Sequence, residues 1–332
     1  MELSYKILRR SVHSFLQNYH YFTTTIVFLA FPFSASILLS QALVPFSSSL
    51  YPQIYNHLKI LFDAAGFPSS SQIFTLLNLK VSQTITSSIF TLPFTLTFFL
   101  ITKSFIIQAM KMNNHKENLQ PSFVDIISYH YKPLFQTYIY NTFFLLSANA
   151  STFCFLFLVF SFAEGLGNSS PSLTLFVTAA AAVFFSVILA NALVISNMAL
   201  TLSGMDGHGG YMAILKACVL LRGRTSTALF LALPINVSLA AIEALFQFRV
   251  VRGYHNIGGK SSWFFLGLEG IFIAYLYSIF IIIDTIVSYM FYKSCKIGGS
   301  LVDKEDKHFL RIEFIEEDNY GYLGDNNFQE LP

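Results

Sequence analysis

Charge is what this chain has least of. Only 11% of its 332 residues are Asp, Glu, Lys or Arg, against about 25% in an ordinary globular domain. A soluble fold of this length needs a polar shell around its core, and so few charges cannot build one. Cysteine is scarce as well: Cys154, Cys218 and Cys295 are scattered, which excludes a disulfide framework and any CxxC metal site. The chain has no HExxH, GxSxG or Walker loop, and its eight His stand singly. The constellations that those spacings assemble for catalysis are missing. Neither enzymatic activity nor a cofactor, a metal or a nucleic-acid partner is expected.

What the chain has instead is grease. Hydrophobic residues reach 54%, and 37 Phe lie mostly inside continuous apolar runs. A helix crosses the hydrocarbon layer with roughly 20 apolar residues, and six windows qualify, at about 22–44, 84–107, 138–162, 173–202, 225–248 and 264–292. The first is too long for a signal-peptide core and follows a 20-residue polar-apolar segment, so it reads as a retained span. The expected fold is therefore all-α, a polytopic membrane protein of six transmembrane helices. Residues 1–21 form a cytosolic amphipathic helix, 22–292 the transmembrane domain and 293–332 a cytosolic tail.

Lys and Arg orient it. With the N-terminus in the cytosol, fifteen of the twenty cations fall on the inner side, and Lys59, Lys80, Arg249, Arg252 and Lys260 on the outer. Both termini are then cytosolic, in the plasma membrane or an endomembrane. The loop QFRVVRGYHNIGGKSSW (Gln247–Trp263) puts three cations where the rule disfavours them, and Glu243 and Glu269 are their nearest counter-charges.

Two nonapeptides share a pattern: FLAFPFSAS (Phe28–Ser36) and FLALPINVS (Phe230–Ser238), with a weaker version in FFLLSANAS (Phe143–Ser151). All three lie in odd-numbered windows, and a basic amphipathic segment precedes each one. In the first, Leu3, Ile7, Leu8, Val12, Phe15, Leu16 and Tyr19 share a face that Lys6, Arg9, Arg10 and His13 avoid. In the second the apolar face is Phe123, Ile126, Ile127 and Leu134; in the third, Met212, Leu215 and Val219. Such helices lie in the membrane interface. The chain reads as three repeats of an elbow helix and a hairpin of spans, with approximate threefold symmetry. Pro32, Pro93 and Pro234 kink spans beside Ser or Thr. Tyr51–Ala65 reads as another interfacial helix, on the outer surface.

Ionisable groups inside spans are candidates for function, since burying them is costly. Lys103 lies near the inner end of its window and is expected to snorkel. Glu243 and Glu269 suit either ion pairs with Arg249, Arg252 or Lys260 or a cation-binding pair. Asp284, in IIIDTIVSY, is the deepest charge; it suits an interhelical contact, with Lys293 or Lys103 as partner, or a proton or cation role. Asn141, Asn149, Asn191, Asn197, Asn236 and Gln41 are expected to bond between helices. SGMDGHGGY (Ser203–Tyr211) is a turn. Cys295, in YKSCK past the last window, is a candidate for S-acylation. The tail turns acidic, which suits disorder and, in its aromatic-acidic stretch, a short motif for a cytosolic protein. The bilayer is the first expected partner.

The runs YMAILKACVLLRGRTSTALFLALPINV and DTIVSYMFYKSCK, with YLGD in the tail, resemble a plant family of uncharacterised six-span transmembrane proteins. The layout is also similar to the membrane domain attached to some bacterial glycerophosphodiester phosphodiesterases, although this chain carries no phosphodiesterase domain. The resemblance implies the six-span topology and a plant source, and no activity. The reading that follows is a non-enzymatic scaffold or membrane-organising component, with a small-solute or ion transporter using Asp284, Glu243 and Glu269 as the alternative.

Overall fold

A backbone surrounded by apolar side chains can satisfy its N–H and C=O groups only within itself, and a helix does so locally. The computed structural model describes residues 2–43, 50–64, 72–115, 123–165, 171–253 and 262–302, and every regular element among them is helical. Helix α1 is Glu2–Gln17. A turn at Tyr19–Tyr21 and a π-helical segment, Phe22–Ile26, lead into α2, Val27–Leu43. Helix α3 is Leu50–Ala64. Helix α4, Gln72–Phe94, passes through a second π segment, Thr95–Phe99, into α5, Leu100–His115. Next come α6, Phe123–Gly165, α7, Pro171–Asp206, and α8, Tyr211–Leu221. Helix α9, Thr225–Phe246, ends in a third π segment, Gln247–Val251, and α10 is Ser262–Val302. The chain divides into the units Met1–Cys295 and Lys296–Pro332; all packing below is within the first. The tail motif beyond Val302 lies outside the described residues.

Four helices among the described residues are long and apolar enough to cross a membrane: Asn78–Met112, Ala179–Asp206, Thr225–Val251 and Phe264–Lys296. They fall on the second, fourth, fifth and sixth windows of the sequence. The first window falls on the π segment and on α2, whose 17 residues are fewer than the roughly 20 a crossing takes. The third lies inside α6.

Helix α10 is the hub. Half of its apolar span is buried, compared with 12% of the span in α7. Val287 and Phe291 pack with Ala217 of α8, Leu231 and Ile235 of α9 and Ile7 of α1. Ile282, Ile286 and Tyr289 meet Phe105 and Met110 of α5, Phe15 of α1 and Phe22. Ile273, Ala274 and Tyr277 meet Phe33 and Leu38 of α2 and Phe246 of α9. Hydroxyls add interhelical bonds, as expected where no hydrophobic force draws helices together: Ser34 bonds Ser278, and Ser40 lies 2.6 Å from Ser87. Large apolar side chains look outward. The leading Phe of each nonapeptide, Phe28, Phe143 and Phe230, is exposed, as are Phe176, Phe264 and Phe272. An apolar surface this extensive needs a non-aqueous neighbour.

The three junctions between basic segment and span differ. Only α8 and α9 are separated by a sharp turn, made by Gly223 at φ 77°. The first segment runs on with a single non-helical residue, Asn18 (φ −112°, ψ 30°). The second has no break at all, since α6 continues through Pro133, with Thr137 donating to the Pro133 carbonyl at 2.9 Å. Between α7 and α8, Gly207 and Gly210 adopt φ of 71° and 84°. Gly209 lies so close to Pro133 that a Cβ there would overlap its carbonyl.

Candidate functional site

Lys103 is buried, 1% exposed, within the enclosed stretch Leu100–Ile107 of α5. The expectation that it snorkels is corrected. Its Cα lies eight residues below Lys111, about 12 Å at the helical rise, and the side chain turns inward. Its Nζ donates to Asn197 Oδ1 of α7 at 2.5 Å and stands 5.0 Å from the centroid of the Phe99 ring. Asn197 Nδ2 donates in turn to Asp284 Oδ2 of α10 at 2.8 Å and to Ser288 Oγ at 3.3 Å. Asp284 and Ser288 share a face because they are four residues apart. An amide offers an acceptor and two donors on one group, so Asn197 serves a cation on one side and an anion on the other. The result is a Lys–Asn–Asp relay across three helices.

A cavity of about 40 Å³ adjoins the relay, lined by the polar Asn197, Asp284 and Ser288 and by apolar side chains that include Leu231, Ile235 and Phe291. A water needs about 10–15 Å³ by this measure, so the space is water-sized and far smaller than a solute pocket. Chemically, the site can hold a compensated charge pair, and Asp284 has one face on hydratable space.

The other carboxylates have partners of their own. Glu243 accepts from Tyr277 Oη at 2.9 Å. Glu269 accepts from Arg249 Nε at 2.6 Å, in an ion pair open to the surroundings. Of the other two expected partners, Arg252 stands 5.5 Å from the Phe248 ring centroid, and Lys260 lies outside the described residues. Of the interhelical amides, Asn141 donates to the Ser196 carbonyl at 2.8 Å and Asn197 forms the relay, while Asn236 is exposed. Gln41's side chain lies outside the described residues. Cys295 is buried, 2% exposed, in the core with Leu221 and Phe291, and its carbonyl accepts from Arg224. An acyl chain could reach that sulfur only if this packing opened. No three His, Cys, Asp or Glu side chains gather as a metal site among the described residues.

The sequence held an unused signal for the relay. Lys103, Asn197 and Asp284 each stand two residues after an Ile in an even-numbered window, and eight or nine before the next charge, at Lys111, Asp206 and Lys293. Read one window at a time, the three look unrelated.

At the end where Lys111, Asp206 and Lys293 lie, two short helices wrap the unit. Helix α1 has three faces. Ser4, Ile7, Ser11, Ser14 and Phe15 are buried; Tyr5, Val12 and Leu16 form an exposed apolar strip; Lys6, Arg9, Arg10 and His13 form an exposed basic one. Helix α8 buries Ala213, Ala217 and Leu221 and exposes Tyr211, Met212, Leu215 and Val219. Its Lys216 lies 3.8 Å from Asp206, which also accepts from Tyr292 Oη at 3.0 Å. Asp206 thus ties the α7–α8 loop to α10.

These features define an all-helical protein with several membrane-capable helices and a part-buried polar relay between three of its helices. Over residues 3–308 the chain matches the family described as a domain of unknown function, DUF8558, and it belongs to that family. No curated protein and no solved structure matches it.

Proposed function

We propose that this chain is a non-enzymatic membrane-organising component, with six spans in three out-and-back pairs, both ends cytosolic, and α1 and α8 lying in the cytosolic interface. The three-faced α1 carries the reading. A helix with one side on the bundle needs a greasy strip and a basic strip side by side only where hydrocarbon and headgroups meet. The exposed strip Met212, Leu215 and Val219 of α8 supports the same placement. The relay supports the repeat, because each even window supplies one polar side chain to it. A closed, compensated relay and carboxylates with separate partners favour a structural role over a conduit. The acidic tail would add contact with a cytosolic protein, tested by pull-down with the Asn319–Pro332 peptide against a scrambled one.

Spin labels on the reconstituted full chain test the interface. Labels at 12 and 16 should be oxygen-accessible and shielded from a polar nickel reagent, and labels at 9 and 13 the reverse. Water access at 12 and 16 overturns the proposal. One observation favours the transporter alternative, the cavity against Asp284. A proteoliposome flux that Asp284→Asn abolishes would select it; the scaffold reading expects no flux.

A further inference from the structure

Helix α1 is held at two points along its length. Ile7 packs with Leu221 and Ala228, on either side of the α8–α9 turn. Phe15 packs with Met110 of α5, whose Sδ accepts from Ser14 Oγ at 3.7 Å. Those contacts fix which side of the helix looks outward. Going round it at 3.6 residues per turn, the buried sector about Ser11 is followed by the exposed Val12, Tyr5 and Leu16, and then by the exposed Arg9, His13, Lys6 and Arg10. The cations therefore border the apolar strip and turn away from the bundle. Each of the four stands three residues from one of the others and four from another, so they form a rhombus. At those spacings Cβ atoms lie about 5–6 Å apart, and like charges repel. No Asp or Glu occurs from Leu3 to Phe62. Among the described residues the side chains of Arg9, Arg10 and His13 have no ion pair or hydrogen bond, and Asp206 is already shared by Lys216 and Tyr292.

We propose that this rhombus binds the phosphates of anionic phospholipids and enriches those lipids around its end of the protein. The inference deepens, and rests on, the interfacial placement of α1 above. Clustered like charges are destabilising until an anion joins them, and the strip beside them requires that the anion bring hydrocarbon with it. A phospholipid meets both needs in one molecule, with an acyl chain along Val12 and Leu16 and its phosphate at the level of Arg9 and Arg10. Arginine suits that role because its planar fork gives a phosphate two parallel N–H donors. The exposed Tyr5 and Tyr19 are of the kind that sits at headgroup depth. A nucleic acid would answer the charges and leave Tyr5, Val12 and Leu16 against water.

The fluorescence of a single tryptophan tests this. In the full chain with Trp263→Phe, Val12→Trp places a reporter on the apolar strip, and Val183→Trp places a control on an exposed position of α7. Each is reconstituted in phosphatidylcholine vesicles containing phosphatidylglycerol, with bromine on the acyl chains of one lipid or the other. At 12, brominated phosphatidylglycerol should quench beyond its mole fraction, by up to about five-fold in relative affinity for each arginine engaged. At 183 the two lipids should quench alike. Arg9→Gln with Arg10→Gln should remove the preference at 12, and Arg9→Lys with Arg10→Lys should keep most of it, with helical spectra unchanged. Salt at about 1 M, where the Debye length is about 3 Å, should also remove it. Equal quenching at 12 by both lipids, a preference equally strong at 183, or one that survives the glutamine pair would overturn the proposal and leave the basic strip to an acidic protein. No quenching at 12 by either lipid would instead overturn the interfacial placement itself.

Discussion

Asn197 holds two opposite charges apart and satisfies both, which no aliphatic or singly charged side chain at that position could do. Asn197→Leu therefore leaves the buried Lys103 without its acceptor and the half-buried Asp284 without its donor. Breaking a buried charged contact from one side costs about 3–5 kcal/mol, and reversible unfolding in mixed micelles should show a loss of that order. Removing both charges together, Lys103→Met with Asp284→Leu, should cost less than the two single changes summed, because apolar replacement of a whole buried pair is often nearly neutral. His130, outside the spans, behaves differently. Burial holds its imidazole below the usual range, with Lys111 pushing the same way. Its unfolded form binds a proton more readily, so stability should fall as pH drops through the unfolded value of about 6.5. His130→Gln should flatten that slope in thermal scans from pH 7.5 to 5.

At the scale of elements, glycines divide into those that packing requires and those it does not. Gly209→Ala would force the α7–α8 loop off Pro133 and should destabilise by about 1–3 kcal/mol, the usual overpacking cost. Gly267→Ala meets nothing and should stabilise α10 by about 0.5–1 kcal/mol; thermal-shift assays on the purified protein separate the two signs. The helices themselves were legible, because apolar runs of 20 residues and more can be little else. The helix predicted at Tyr51–Ala65 appears at Leu50–Ala64. The junctions were not legible. The second basic segment is no separate helix, since α6 runs on through Pro133, while Gly223 makes a sharp turn between α8 and α9. Lys103 was misread for a related reason: its place along the helix suggests escape, but this stretch of α5 is buried among other helices and Asn197 of α7 takes the ammonium. For Asp284 the sequence offered Lys293 or Lys103 as a partner; its hydrogen bond is to the uncharged amide of Asn197 on another helix, and periodicity within one window carries no information about that.

Considered whole, the molecule gathers its basic segments at one end and spreads Phe and Leu over the outside of long rods, with the last helix at the centre. Unequal burial of the spans follows from that centre, since α10 contributes to three of the four apolar clusters. The account stands on those rods crossing a bilayer with α1, the start of α6 and the α7–α8 loop on one side and α3 on the other. Single cysteines at the exposed positions His13, Lys132, His208 and His57, in a background without Cys154, Cys218 and Cys295, put this to the test in sealed vesicles with an impermeant maleimide. The account expects 13, 132 and 208 to label from the same face and 57 only from the opposite one. Labelling of 57 together with 13, or of 13 and 208 from opposite faces, would contradict it.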